Sequence, residues 1–108
     1  TLEYHAFLWT REEGMVDLGT LGGKAAIARG INNLDMIVGE SSIENFEYPS
    51  HAFLWTKTLG MVDLNDLIDG SSSWILWSAN DINDRGQICG TGFFDGYTRA
   101  FLLTPARD

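Results

Sequence analysis

Residues 5–18 read HAFLWTREEGMVDL and residues 51–64 read HAFLWTKTLGMVDL, so that 11 of 14 positions are identical at a spacing of 46 residues. A duplication of that quality makes this a repeat protein, built from copies of one small supersecondary unit. Further along, ARGINNLDMIVG at 28–39 is echoed 51 residues later by ANDINDRGQICG at 79–90, with Ala, Ile, Asn, Ile and Gly in register. A third start, RAFLLT at 99–104, follows HAFLWT at 51–56 after 48 residues. Copies therefore run over approximately 5–50 and 51–98, with a partial copy at 99–108. The spacings differ because the connections do: 65–78 is longer than 19–27, and 91–98 is shorter than 40–50. Fixed strands joined by variable connections are what a repeat scaffold permits.

The pattern predicts strands at 5–10, 14–18, 25–31, 36–42, 51–56, 60–64, 73–82, 87–94 and 99–104, four to a repeat. These runs are rich in Ile, Val, Phe, Trp and Leu and are punctuated by Gly, Asn, Asp and Ser. No window sustains an apolar period of 3.6 residues, and only 64–68 reads as a single helical turn. In His51-Ala52-Phe53-Leu54-Trp55, alternation sends His, Phe and Trp to one face and Ala and Leu to the other. Both faces are apolar, so a sheet of such strands needs a neighbour on each side. The expectation is an all-β fold of tandem four-stranded antiparallel repeats, arranged like the blades of a β-propeller. The period, near 48 residues on average, falls within the roughly 40 to 50 residues of known propeller repeats. A β-sandwich is the alternative. In the turns 31–37 and 82–88, Gly86 and its counterpart Asp35 occupy the place where a hairpin needs a left-handed residue.

The motifs HAFLWT, GMVDLGTLGG at 14–23 and IN-x-x-G-x-I-V-G resemble the HAF repeat, described as a probable extracellular repeat of bacterial proteins. The likeness extends over essentially the whole chain. It departs at Asp35 for Gly, at LNDLIDG (64–70) for LGTLGG, and at Arg99 for His. The resemblance implies an exported, extracellular or cell-surface, non-catalytic repeat domain. It supplies neither a ligand nor a catalytic set.

Composition bounds the rest. At 108 residues the chain suits one domain or a piece of one, and its first residue, Thr, implies a removed leader or a section of something longer. Apolar residues make up 44%, including four Trp, six Phe and three Tyr, enough for a packed interior. Fifteen acidic against seven basic side chains give a net charge of −8, which repels nucleic acid and anionic membranes. No apolar run is long enough to span a bilayer. The single cysteine, Cys89, stands where the other copy has Val38, and is expected to be a small buried hydrophobe.

Chemical motifs fail on inspection. His5 and His51 share one strand position, the third copy has Arg99 there, and no second His lies near, so a strand-edge role outweighs metal ligation. Asp81, Asn83 and Asp84 faintly suggest a calcium loop, but Arg85 interrupts it and no bidentate Glu follows. The glycines of 19–24 do not complete a phosphate loop, and neither 39–41 nor 70–72 completes a nucleophile elbow. Acid pairs such as Glu12/Glu13 and Glu44/Glu47 fall in loops. No catalytic residue, metal site or cofactor is assigned.

Aromatic residues outside the repeat consensus are the binding candidates: Trp74, Trp77, Tyr48 and Tyr97, with Phe46 beside them. Such rings stack on sugars or anchor a protein partner, or else fill space between sheets. The leading expectation is a non-catalytic module that binds protein or glycan or serves structural assembly, as a homo-oligomer or flanked by further repeats. A propeller-type carbohydrate-active enzyme, of which this chain is part, is the alternative. A metal-dependent module is third.

Overall fold

The computed structural model describes residues 4–43, 50–68 and 72–106. Nine strands run β1 Ala6–Thr10, β2 Gly14–Gly19, β3 Ala26–Ile31, β4 Ile37–Ser42, β5 Ser50–Thr56, β6 Gly60–Asp63, β7 Ile75–Ile82, β8 Ile88–Phe94 and β9 Tyr97–Leu103. The predicted helical turn is a 3-10 turn at Leu64–Asp66, capped by the Asp63 carboxylate accepting from the Asn65 backbone N–H. All pairings between strands are antiparallel meanders, giving sheets of two strands (β1-β2), four (β3-β4-β5-β6) and three (β7-β8-β9). The sheets do not close on themselves. Each sequence copy, counted from its histidine, straddles two sheets. Counted by pairing, one complete unit is β3 to β6.

The alternating pattern explains how the sheets pack. Ala6 and Leu18 of the first sheet, supported by Leu8 and Val16, meet Ala26, Ile37, Phe53 and Trp55 of the central one. Val38, Ala52 and Leu64 on the other side of the central sheet, with Leu54, meet Leu76, Ala79, Ile82, Ile88 and Phe101 of the third. The two joints are of one kind. A face of Ala and Leu from one sheet receives a face of Ile and large rings from the next.

Neighbours decide burial more than residue type does. Phe53 and Trp55 are 0% and 8% exposed, whereas their counterparts Phe7 and Trp9, in an identical local sequence, are 59% and 63% exposed. The central pair has the first sheet over it, whereas no other described element lies over the outer face of the first sheet. Cys89 departs from expectation for the same reason. Its counterpart Val38 is fully buried under the third sheet, but Cys89 lies on the third sheet's outer face and is exposed. The expectation of a small buried hydrophobe is corrected: the position is exposed because no described sheet lies over that face.

Two backbone details recur in both copies. Asp35 and Gly86 take φ of 59° and 80°, the left-handed conformation their turns require. The register shifts between Ala28 and Gly30 in β3 and between Ala79 and Asp81 in β7, and a glycine, Gly39 or Gly90, faces each bulge. A Cβ on Gly39 would collide with the Ile27 carbonyl, and one on Gly90 with the Ser78 carbonyl and the Phe101 ring.

Two measurements check this packing. Trp55→Ala is expected to cost about 3–5 kcal/mol in denaturant unfolding, and Trp9→Ala, at concentrations where the chain is monomeric, about 1 kcal/mol or less. Equal losses would contradict the asymmetry between the sheets. Gly90→Ala is expected to cost about 1–3 kcal/mol through the clash, and an unchanged midpoint would show that the bulge relaxes freely.

Candidate functional site

The four ring candidates do not converge. Trp74 is half-buried, stacked on Phe94 with centroids 4.9 Å apart and edge-on to Phe101 at 6.3 Å. It packs into the joint between the central and third sheets. Trp77 sits where β7 shifts register between Leu76 and Ser78, an extra residue with no counterpart in β3, and its ring lies 5.6 Å from Phe93. Tyr97 opens β9 beyond the tight turn at Asp95 and Gly96, is 65% exposed, and carries the Arg99 guanidinium 5.5 Å from its ring centre. A cation over a ring face is held by the ring quadrupole, which stiffens Tyr97 as a flat exposed platform. Tyr48, like Phe46, lies outside the described residues.

Sequence reasoning did not find the partners of the histidines. His51 Nδ1 lies 2.6 Å from Asp63 Oδ2, and His5 Nδ1 lies 2.9 and 2.8 Å from the two carboxylate oxygens of Asp17. A carboxylate only accepts, so it is Nδ1 that donates in both contacts. In each copy the same aspartate also accepts from a backbone N–H two residues on, Gly19 or Asn65. The signal was in the repeat itself: His and Asp recur together, 12 residues apart, in both copies. Among the described residues no strand follows β9 to offer Arg99, at the third position, such a partner. The pair is more enclosed in the central sheet, at 20% and 18% exposure, than in the first, at 35% and 63%.

Successive sheets are also tied by polar contacts. Asn65 Nδ2 donates to the Leu76 carbonyl at 2.9 Å while its Oδ1 accepts from the Leu76 N–H at 2.7 Å, so that one side chain continues the hydrogen bonding of a strand. Asn32 Nδ2 donates to the carbonyl of its counterpart Asn83 at 3.0 Å. The Asn33 backbone N–H and Nδ2 donate to the two carboxylate oxygens of Asp84 at 2.8 and 2.7 Å. Asp84, one of the residues suggestive of calcium, is thus engaged between sheets, and Asp81 Oδ1 accepts from the Ile82 N–H. Among the described residues no three His, Cys, Asp or Glu gather as a metal set, and no helix is long and apolar enough to cross a membrane.

Between the sheets lie two clefts in equivalent places. One of about 480 Å³ has Leu8, Val16 and Trp55 in its wall and Glu13, Asp35 and Lys57 at its mouth. The other, about 440 Å³, is lined by Met36, Leu54, Ile88, Leu103 and Pro105. Lys57 donates to Glu13 across the first, and that carboxylate holds the lysine above its usual pKa.

No protein-family model, curated protein or solved structure matches this chain.

The aspartates set a pH response. The Gly19 N–H, and then the His5 ring, hold the Asp17 carboxyl below its ordinary value, and the Asn33 N–H and side-chain amide do the same for Asp84. A depressed folded-state pKa means that the stabilisation is present above the unfolded value of about 3.9 and is lost as pH falls through the folded one. Denaturation midpoints are therefore expected to fall on acidification from about pH 5 towards pH 2, less steeply in Asp84→Asn. A slope unaltered by that substitution would remove Asp84 from the account.

Proposed function

We propose that this chain is a non-catalytic repeat module whose sheets act as successive propeller-type blades, serving partner binding or structural assembly outside the cell. The repeated joint carries the reading: the same Ala-and-Leu face meets the same Ile-and-ring face twice, so the unit is made to be flanked by others of its kind. The HAF-type motifs support an extracellular or cell-surface setting. The repeated His–Asp pairs and asparagine contacts are engaged in holding strands and sheets, which favours scaffolding over turnover.

For binding, Tyr97 is the ring best placed to meet a glycan or protein, since it is exposed and stiffened by Arg99. Trp74 is committed to packing, and Trp77 is partly shielded by Phe93. The alternative, part of a propeller-type carbohydrate-active enzyme, would require acids from elsewhere to complete a site.

Glycan and protein arrays probed with the chain test this reading. The expected result is saturable binding that weakens about tenfold or more in Tyr97→Ala, without turnover of the ligand. Glycan hydrolysis by the chain, abolished by changing one acidic residue, would overturn it in favour of the enzyme.

A further inference from the structure

The two outermost faces of the described sheets are unlike. On the outer side of the first sheet Phe7, Trp9 and Met15 are 59%, 63% and 65% exposed. Their counterparts Phe53, Trp55 and Met61 form the face of the central sheet that the first sheet covers. On the outer side of the third sheet Leu102 is 65% exposed, with Cys89 and Ala100 exposed beside it. Their counterparts Leu54, Val38 and Ala52 form the face that the third sheet covers. The molecule therefore presents one half of its own internal joint at each end.

We infer that a second copy of this chain docks head to tail, seating its Phe7, Trp9 and Met15 on the Cys89, Ala100 and Leu102 face of the first. The argument is continuity. Both joints inside the chain pair these two kinds of face in the same order, and the two faces left over are one of each kind. Like faces would not mate in the same way, because neither internal joint sets a ring-bearing face against another ring-bearing face, or the outer kind of Ala-and-Leu face against its own kind. A heterologous contact of this sort repeats, so copies either close into a ring or run on as a filament. Among the described residues the turns at 32–36 and 83–87 have no counterpart beside β1 and β2, and the docking is argued from the apolar faces.

This inference rests on the stacked-unit reading proposed above, and sedimentation velocity over a wide concentration range separates the two. The chain is expected to populate species larger than a monomer. Trp9→Glu and Leu102→Glu are each expected to weaken association at least about tenfold and to be monomeric alone. Mixed together, they retain one intact face each and are expected to give a species of twice the monomer mass and nothing larger. Cys89 should also react more slowly with a thiol reagent as assembly proceeds. A second pair, Phe7→Glu and Ala100→Glu, repeats the test should either first variant fail to fold. A chain that stays monomeric throughout, single variants that still assemble, or a mixture that stays monomeric would each overturn the docking. If β4 and β5 remain protected from hydrogen exchange in such a monomer, only the docking fails. Unprotected β4 and β5 would also bring down the stacked-unit reading.

Discussion

A strand that places Phe and Trp on one side and Ala and Leu on the other cannot satisfy itself within a single sheet. Burying one side of β5 leaves the other in water, so the central sheet is stable only between two neighbours. The structure meets this requirement once in full, at the β3 to β6 sheet, where Val38, Ala52 and Phe53 are all inaccessible. The same constraint explains why identical sequence behaves differently at 5–10 and 51–56. Burial at about 25 cal/mol per Å² of apolar surface is earned from the adjacent sheet, and a ring without that sheet stabilises little.

Small residues are as necessary to this arrangement as large ones. Gly39 and Gly90 lie opposite the bulges in β3 and β7, where the bulged backbone comes too close for any side chain. A bulge sharpens local twist, and the same bulge recurs in the first strand of the central sheet and of the third. The glycine thus permits the shape, and the rings and aliphatic groups then fill it.

Much of this was legible in the sequence because a tandem repeat states its pattern more than once. All nine strands lie where alternation and punctuation placed them, and Asp35 and Gly86 adopt the left-handed backbone that their turns implied. What was not legible depended on relations between strands. A repeat has no intrinsic starting point, so the sequence did not reveal that sheets divide between β2 and β3 and between β6 and β7. Local pattern made Cys89 equivalent to Val38, yet its exposure is a property of the end of the stack. The His–Asp pairs were hidden because each joins adjacent strands across a hairpin, although the recurrence of both residues at one separation marked them. Trp77 was visible as an aromatic residue outside the consensus, but not as the extra residue of a bulge.

Apolar faces alone would let sheets slide, and the polar contacts supply what they lack. Each hydrogen bond adds only about 0.5–1.5 kcal/mol, small beside the rings, but each is satisfied in one alignment. Asn65 fixes the 3-10 turn against the backbone of β7, while Asn32 and Asn33 lock one turn onto the next. Ser78 donates to Glu40, which also receives the Arg29 guanidinium, and so joins β7 to the middle of the central sheet. These contacts lie at different places along the sheets. A shift along the strands would break several together, and a rotation about the stacking direction would break those furthest from its axis. The angle between successive sheets is therefore fixed by asparagine, serine and acidic side chains, while the energy of stacking comes from Phe, Trp, Leu and Ile. That division is compatible with connections whose sequence length differs from copy to copy, since only the few residues that reach the next sheet need keep their places.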